Sequence, residues 1–195
     1  ALVGEEGYRQ AMLYIGDVCL TVANEYYLHE AGHGLGYDVD RKSADGYFYP
    51  GGRAAHGLIA LEELRADMHA QGWALLILPE KEALSVFVYT TLLRFGVHLE
   101  ALASGKPAPY GLIPYLFFRE ILNAGLATDR ISGEQLWGSS ARLLAVMHAV
   151  ADTAERRFTV PECAGRDSIE AATSGARFLR EAINDHKTLE RLHGM

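Results

Sequence analysis

Apolar residues recur at helical spacing along most of this chain. In residues 8–35, for example, Met12, Ile15 and Val22 belong to a series spaced three or four residues apart, as on one face of an α-helix. The same spacing predicts further helices over residues 55–78, 81–103, 113–127, 132–157 and 167–193. No segment shows the sustained alternation of apolar and polar residues that is typical of a half-buried strand. We therefore predict an all-α fold arranged as a helical bundle.

One long irregular connection interrupts this pattern. Residues 36–55 are rich in Gly, Asp, Tyr and Pro, and the glycines at Gly34 and Gly36 are suited to end the helix before them. Pro79 marks a second break, between the helices at residues 55–78 and 81–103. Loops of this length in compact domains are more often functional than idle, so residues 36–55 are expected to lie near a site.

The length and composition are those of a single folded domain. The chain has 195 residues, of which 49% are hydrophobic and 22% charged, values that are ordinary for a globular protein with a real core. We predict one helical domain over residues 1–195. Because the chain opens at Ala1, close to a predicted helix start, it is also open to interpretation as a fragment of a longer protein.

Charge and cysteine content exclude several classes of partner. The formal net charge is −7 and no basic stripe occurs, which argues against a nucleic-acid surface. The two cysteines, Cys19 and Cys163, lie far apart without a CxxC motif and are expected to be free thiols in a reducing compartment. No signal-peptide pattern or membrane-length apolar run is present, since the apolar run at residues 73–78 is too short. We expect a cytoplasmic protein without membrane or nucleic-acid partners; its oligomeric state is left open.

The segment HEAGH at residues 29–33 is an HExxH motif. Its histidines, His29 and His33, are four residues apart, so on a helix both can reach one metal ion. Glu30, adjacent to the first histidine, is placed to act as general base toward water at an open coordination position of zinc, which lowers the pKa of that water to about 7. Such a motif arises by chance in about one chain in a hundred of this size, so it needs support from elsewhere in the sequence.

That support comes from EELRAD at residues 62–67. A catalytic zinc has three protein ligands and one open position, and Glu63 would complete a His2Glu set. Asp67 lies four residues later, on the same helix face, where it could accept the remaining ring N–H of one histidine, and Glu62 could serve the other. Arg65 would offset part of the negative charge gathered there. The alternative, that EELRAD is the solvated face of a surface helix, is less favoured beside HExxH.

Together, HEAGHG at residues 29–34 and EELRAD at residues 62–67 resemble the active-site signature of the dipeptidyl peptidase III family of zinc exopeptidases. The resemblance implies the Zn2+ ligands His29, His33 and Glu63, the general base Glu30, and the supporting carboxylates Glu62 and Asp67. Most members have one more residue inside the histidine motif and a longer gap between the motifs, and their two lobes need a much longer chain. The resemblance therefore implies the zinc chemistry but not the dipeptide-releasing specificity.

Two classes of function fit these motifs. The first is a zinc-dependent hydrolase, a peptidase or related amide hydrolase, acting through activated water on a peptide or small-molecule substrate. The alternative is a non-hydrolytic metal-dependent enzyme of small-molecule metabolism that uses the same His2Glu site. A structural zinc site is a weaker third, because such sites are normally closed by four protein ligands, often including Cys.

A hydrolase also needs a donor that stabilises the oxyanion of the transition state. The candidates are His56, His98, His148, Tyr47 and Tyr49. For the two histidines at 98 and 148, which lie in apolar helical segments, a buried packing role is the more usual interpretation. The histidine at position 69, two residues beyond the EELRAD aspartate, is expected to point away from the ligand face, toward the surface.

Overall fold

The structure, a computed structural model, describes residues 5–34, 56–98, 113–114, 117 and 137–154. These residues are 89% helical and contain no strand, which confirms the all-α prediction. The helices are α1 (Glu5–Met12), α2 (Val18–His33), α3 (His56–Ile77), α4 (Glu80–Val88), a π-helix (Tyr89–Arg94) and α5 (Ser140–Ala154). The loop predicted at residues 36–55, the helix predicted at 167–193 and nearly all of that predicted at 113–127 lie outside the described residues.

The single helix predicted over residues 8–35 is wrong, because the structure divides it into α1 and α2. Asp17 caps the second helix: its side chain accepts a hydrogen bond from the Leu20 N–H at 3.0 Å, which satisfies a backbone donor that the first helical turn leaves without a partner. The Thr21 hydroxyl donates to the Asp17 carbonyl at 2.7 Å. The apolar spacing continues across this break, so periodicity alone did not reveal it.

Helix α3 is the central element of the described fold, because α2 and α5 both pack against it. From Leu64 to Gln71 every residue is buried, and the apolar ones join a core that includes Phe87, Trp137 and Met147. Full burial of each large apolar side chain contributes roughly 1.5–3 kcal/mol. The EELRAD segment is therefore not a solvated surface face.

His69 is a second correction to the sequence predictions. Expected at the surface, it retains only 5% of its exposure. The prediction assumed a helix covered on one side, whereas α3 is covered by more than one neighbour, so both the ligand face and the opposite face are buried.

Pro79 separates α3 from α4, as the sequence predicts, but the helix predicted at residues 81–103 changes character after Val88. There a π-helix follows, and helical backbone continues to residue 98. The Thr91 hydroxyl donates to the Phe87 carbonyl at 2.7 Å beside this change in hydrogen bonding. Such π-helical turns are uncommon and are frequently found at functional sites. In the described part of the chain, no helix has both the length and the apolar character needed to cross a membrane.

Candidate metal centre

The two histidines of the HExxH motif lie on the last turns of α2 and face α3. Their Nε2 atoms are 3.1 Å apart. The Glu63 carboxylate approaches both, at 3.3 Å from His29 Nε2 and 4.0 Å from His33 Nε2. All three ligand atoms lie within 4.8 Å of one another, so this group could hold one metal ion.

The second ring nitrogen of each histidine meets a carboxylate of α3. Nδ1 of His29 lies 2.8 Å from Asp67 Oδ1, and Nδ1 of His33 lies 3.1 Å from Glu62 Oε1. In neutral imidazoles these contacts place the proton on Nδ1, which leaves the lone pairs of both Nε2 atoms directed at the space shared with Glu63. Two imidazole nitrogens and a carboxylate then converge as acceptors, a donor set that suits zinc and other divalent ions.

The electrostatics of His29 reflect this carboxylate environment. Burial lowers the pKa of His29, but the hydrogen bonds to Asp67 and Glu63 outweigh burial and raise that pKa to about 9. The imidazole is therefore surrounded by groups that favour positive charge at this position. A bound divalent cation would supply such charge between the rings.

Glu62 is held by Arg65, which is completely buried. The Arg65 guanidinium donates to both oxygens of Glu62, at 3.2 Å from Nε and 2.5 Å from a terminal nitrogen. It also donates to the carbonyl oxygens of Gly32 at 3.1 Å and His33 at 2.9 Å. These carbonyls belong to the last turn of α2, where helical partners run out. Arg65 thus ties the end of α2 to α3 and compensates the charge of a buried carboxylate.

Two charged residues at this site were missed in the sequence. Glu25 lies one turn before His29 on α2, and Arg94 ends the π-helix. The Arg94 guanidinium donates to Glu25 Oε1 at 2.9 Å and to Asp67 Oδ1 in a shorter contact. Burial raises the pKa of Glu25, and the charge of Arg94 opposes this effect. The spacing of Glu25 from His29 was a usable signal, whereas nothing local linked Arg94 to residues on α2 and α3.

Glu25, His29 and Asp67 form a second cluster with the spacing of metal ligands. Arg94 interacts with both of its carboxylates, so a positive charge is already present there. This arrangement favours a single metal position, on the Nε2 side of His29.

The other residues that the sequence predicted for the site differ in their burial. Glu30 follows His29 on α2 with its side chain exposed. His98 is partly buried, and its pKa is lowered by burial and by Arg94, while Asp67 and Glu63 act in the opposite direction. The pKa of His98 therefore depends on charged groups of the site. His148 is exposed on α5, contrary to the packing role expected for it. Tyr47, Tyr49 and the side chain of His56 lie outside the described residues.

The fold and site together define an all-α protein with a candidate mononuclear metal centre between two helices. Comparisons of the chain with protein-family models, with curated proteins and with solved structures give no match. Any function assigned to this chain therefore rests on its side-chain geometry and its two motifs.

Proposed function

We propose that this protein is a zinc-dependent hydrolase, a peptidase or a related amide hydrolase. The observation that carries the proposal is the convergence of His29 Nε2, His33 Nε2 and the Glu63 carboxylate within 4.8 Å of one another. The opposite nitrogen of each ring contacts a buried carboxylate. Carboxylate partners of this kind fix the orientation of histidine ligands and raise their basicity.

A catalytic role is favoured over a structural one by the ligand set. Structural zinc sites are usually closed by four protein ligands, often cysteines, whereas catalytic sites combine three ligands with an open position. Among the described residues the group contains three candidate ligands, and the free thiol of Cys19 is not one of them. The set His29, His33 and Glu63 is the His2Glu type found in zinc hydrolases.

Each residue then has a definite task. Bound zinc would polarise a carbonyl group and lower the pKa of water to about 7. Glu30, exposed beside His29, accepts a proton from the attacking water and delivers it to the leaving amine. Asp67 and Glu62 hold the two imidazole rings, and Arg65 keeps Glu62 in position.

The proposal is tested by metal analysis and peptide cleavage on the same preparation. Protein purified without added metal is analysed for bound elements and incubated with a peptide library, whose products are identified by mass spectrometry. We expect about one zinc per chain and cleaved amide bonds. Glu30→Gln should lower turnover by roughly 10²- to 10⁴-fold, because it removes the basic carboxylate while preserving side-chain shape. Its metal content should remain that of the unmodified protein.

A matched control is Glu80→Gln, which neutralises an exposed glutamate at the start of α4 and should leave turnover unchanged. Full turnover in metal-loaded Glu30→Gln would contradict the assigned base. Stoichiometric metal without cleavage of any peptide or other amide would favour the alternative, a non-hydrolytic enzyme of small-molecule metabolism.

A further inference from the structure

The largely buried guanidinium of Arg94 lies on the Nδ1 side of His29, opposite the candidate ligand atom Nε2. Arg94 reaches this position from the π-helix and contacts carboxylates on two other helices, Glu25 of α2 and Asp67 of α3. A chain of contacts therefore runs from Arg94 through Asp67 to the His29 ring.

The geometry at Asp67 is asymmetric. Its Oδ1 atom interacts with both His29 Nδ1 and the Arg94 guanidinium. Its Oδ2 atom is buried and has no hydrogen-bond partner among the described residues. Buried carboxylate oxygens are normally satisfied, so this orientation needs a cause. Two donors that converge on Oδ1 provide it, because rotation of the carboxylate would give up at least one of these contacts.

We propose that Arg94 is a positioning residue of the metal centre: it holds Asp67 in the orientation that directs His29 Nε2 toward the metal position. The inference rests on the proposed metal site. Arg94 acts through Asp67 and does not itself belong to the ligand group. Glu25 contributes by accepting the other contact of the guanidinium, which fixes where Arg94 stands.

The residue type matters as much as its charge. Arginine carries a planar group with several fixed donors, so it can serve Glu25 and Asp67 together, whereas lysine is a compact point charge on a flexible stem. A buried ion pair is in itself weak evidence of a stabilising role, since desolvation offsets much of the attraction. Positioning accounts for the placement of Arg94 at a carboxylate that already binds a histidine.

The test is a double-mutant cycle read out as Zn2+ affinity, measured by competition with a chromophoric chelator. Arg94→Gln should raise the Kd for zinc by roughly 10-fold, which is the lower end of the range for groups that support histidine ligands. In the Asp67→Asn background the same change should alter the Kd by less than about 2-fold, because its route of action is already lost. Arg94→Lys should fall between the unmodified protein and Arg94→Gln.

Arg142→Gln is the control for the loss of one positive charge, since Arg142 is exposed on α5, and it should leave the Kd unchanged. Arg94→Gln leaves two buried carboxylates without their cation, which could prevent folding. The variant Glu25→Gln/Arg94→Gln is therefore measured alongside it. With one carboxylate neutralised, this variant should fold and still show the raised Kd. Equal losses in the unmodified and Asp67→Asn backgrounds would overturn the proposal, as would an unchanged Kd in Arg94→Gln.

A second readout separates this inference from the proposed function. In metal-free protein labelled with ¹⁵N at histidine, the ring signals of His29 should shift on Arg94→Gln and stay in place when the change is made in Asp67→Asn. Failure of the unmodified protein to bind zinc would contradict the proposed function and the metal-positioning role together, whereas shifted His29 signals in Arg94→Gln would still show that Arg94 acts on His29 through Asp67. Unshifted His29 signals in Arg94→Gln would contradict the positioning role alone.

Discussion

Gly32 on α2 lies so close to Ala66 on α3 that a β-carbon at residue 32 would stand 2.6 Å from the Ala66 carbonyl oxygen and 2.9 Å from its Cα. The obstacle is backbone, which cannot move aside as a flexible side chain would. Gly32 sits between His29 and His33, and Ala66 lies between Glu63 and Asp67. The close approach of these two helices therefore occurs in the middle of the candidate metal centre.

The first prediction is that Gly32→Ala forces α2 and α3 apart. Overpacking of a tight contact costs about 1–3 kcal/mol of unfolding free energy, and the separation should also weaken zinc binding. Thermal and denaturant unfolding of the metal-free protein, with a zinc titration, measure both effects. Gly96→Ala is the matched control: a β-carbon there meets nothing within 4 Å, and alanine is the better helix former by about 1 kcal/mol. Stability of Gly32→Ala equal to that of the unmodified protein would contradict this account of the helix contact.

The second prediction concerns Asp67→Asn. The side chain keeps its shape but loses the charge that supports the His29 imidazole at 2.8 Å. Zinc affinity should fall by roughly 10- to 100-fold, as is typical when a carboxylate partner of a histidine ligand is removed. Asp152→Asn, at an exposed position on α5, should not change the affinity. An unaltered Kd in Asp67→Asn would show that this contact does not support the ligand.

The third prediction is that Arg65→Met destabilises the protein strongly. The change leaves Glu62 buried without its guanidinium partner and removes donors from two carbonyls at the end of α2. Breaking a buried ion pair by removing one partner costs about 3–5 kcal/mol. Chemical denaturation measures the loss, and Glu62→Gln/Arg65→Met should recover part of it because the buried carboxylate charge is removed. If Arg65→Met lost less than about 1 kcal/mol, this ion pair would not be a main support of the fold.

The fourth prediction is a loss of stability in mild acid that originates at His69. Burial, followed by the charge of Arg65, lowers the pKa of His69 to about 4. The unfolded chain, with an ordinary histidine pKa of about 6.5, binds this proton more readily than the folded protein does. Above about pH 6.5, His69 therefore does not lower the free energy of unfolding. As the pH drops from there toward 4, this free energy falls by up to about 1.4 kcal/mol per pH unit.

Urea unfolding at several pH values between 4 and 7 measures this dependence. His69→Gln, which stays uncharged throughout the range, should flatten the profile in that window. An identical profile in His69→Gln would place the acid sensitivity elsewhere. His148→Gln serves as the control, because His148 is exposed on α5.

The sequence by itself determined the helical class and the core of the candidate metal site. Four-residue spacing fixes His29 and His33 on one helix face, and the same spacing relates Glu63 to Asp67. These are local relationships that depend on the period of the α-helix alone. The structure then brings the two faces together, with His29 Nδ1 2.8 Å from Asp67 Oδ1 and His29 Nε2 3.3 Å from the Glu63 carboxylate.

Only the tertiary structure decided the environment of that site. The start of α2 after Asp17 depends on a capping side chain, which leaves the apolar period unchanged. The burial of His69 follows from neighbours on more than one side of α3, and no local pattern encodes how many neighbours a helix has. Arg94 meets Asp67 across 27 positions of sequence through a π-helical turn, and Glu25 joins them from a third segment. Such contacts arise from the packing of separate helices, whose relative placement cannot be deduced from the periodicity of any one of them.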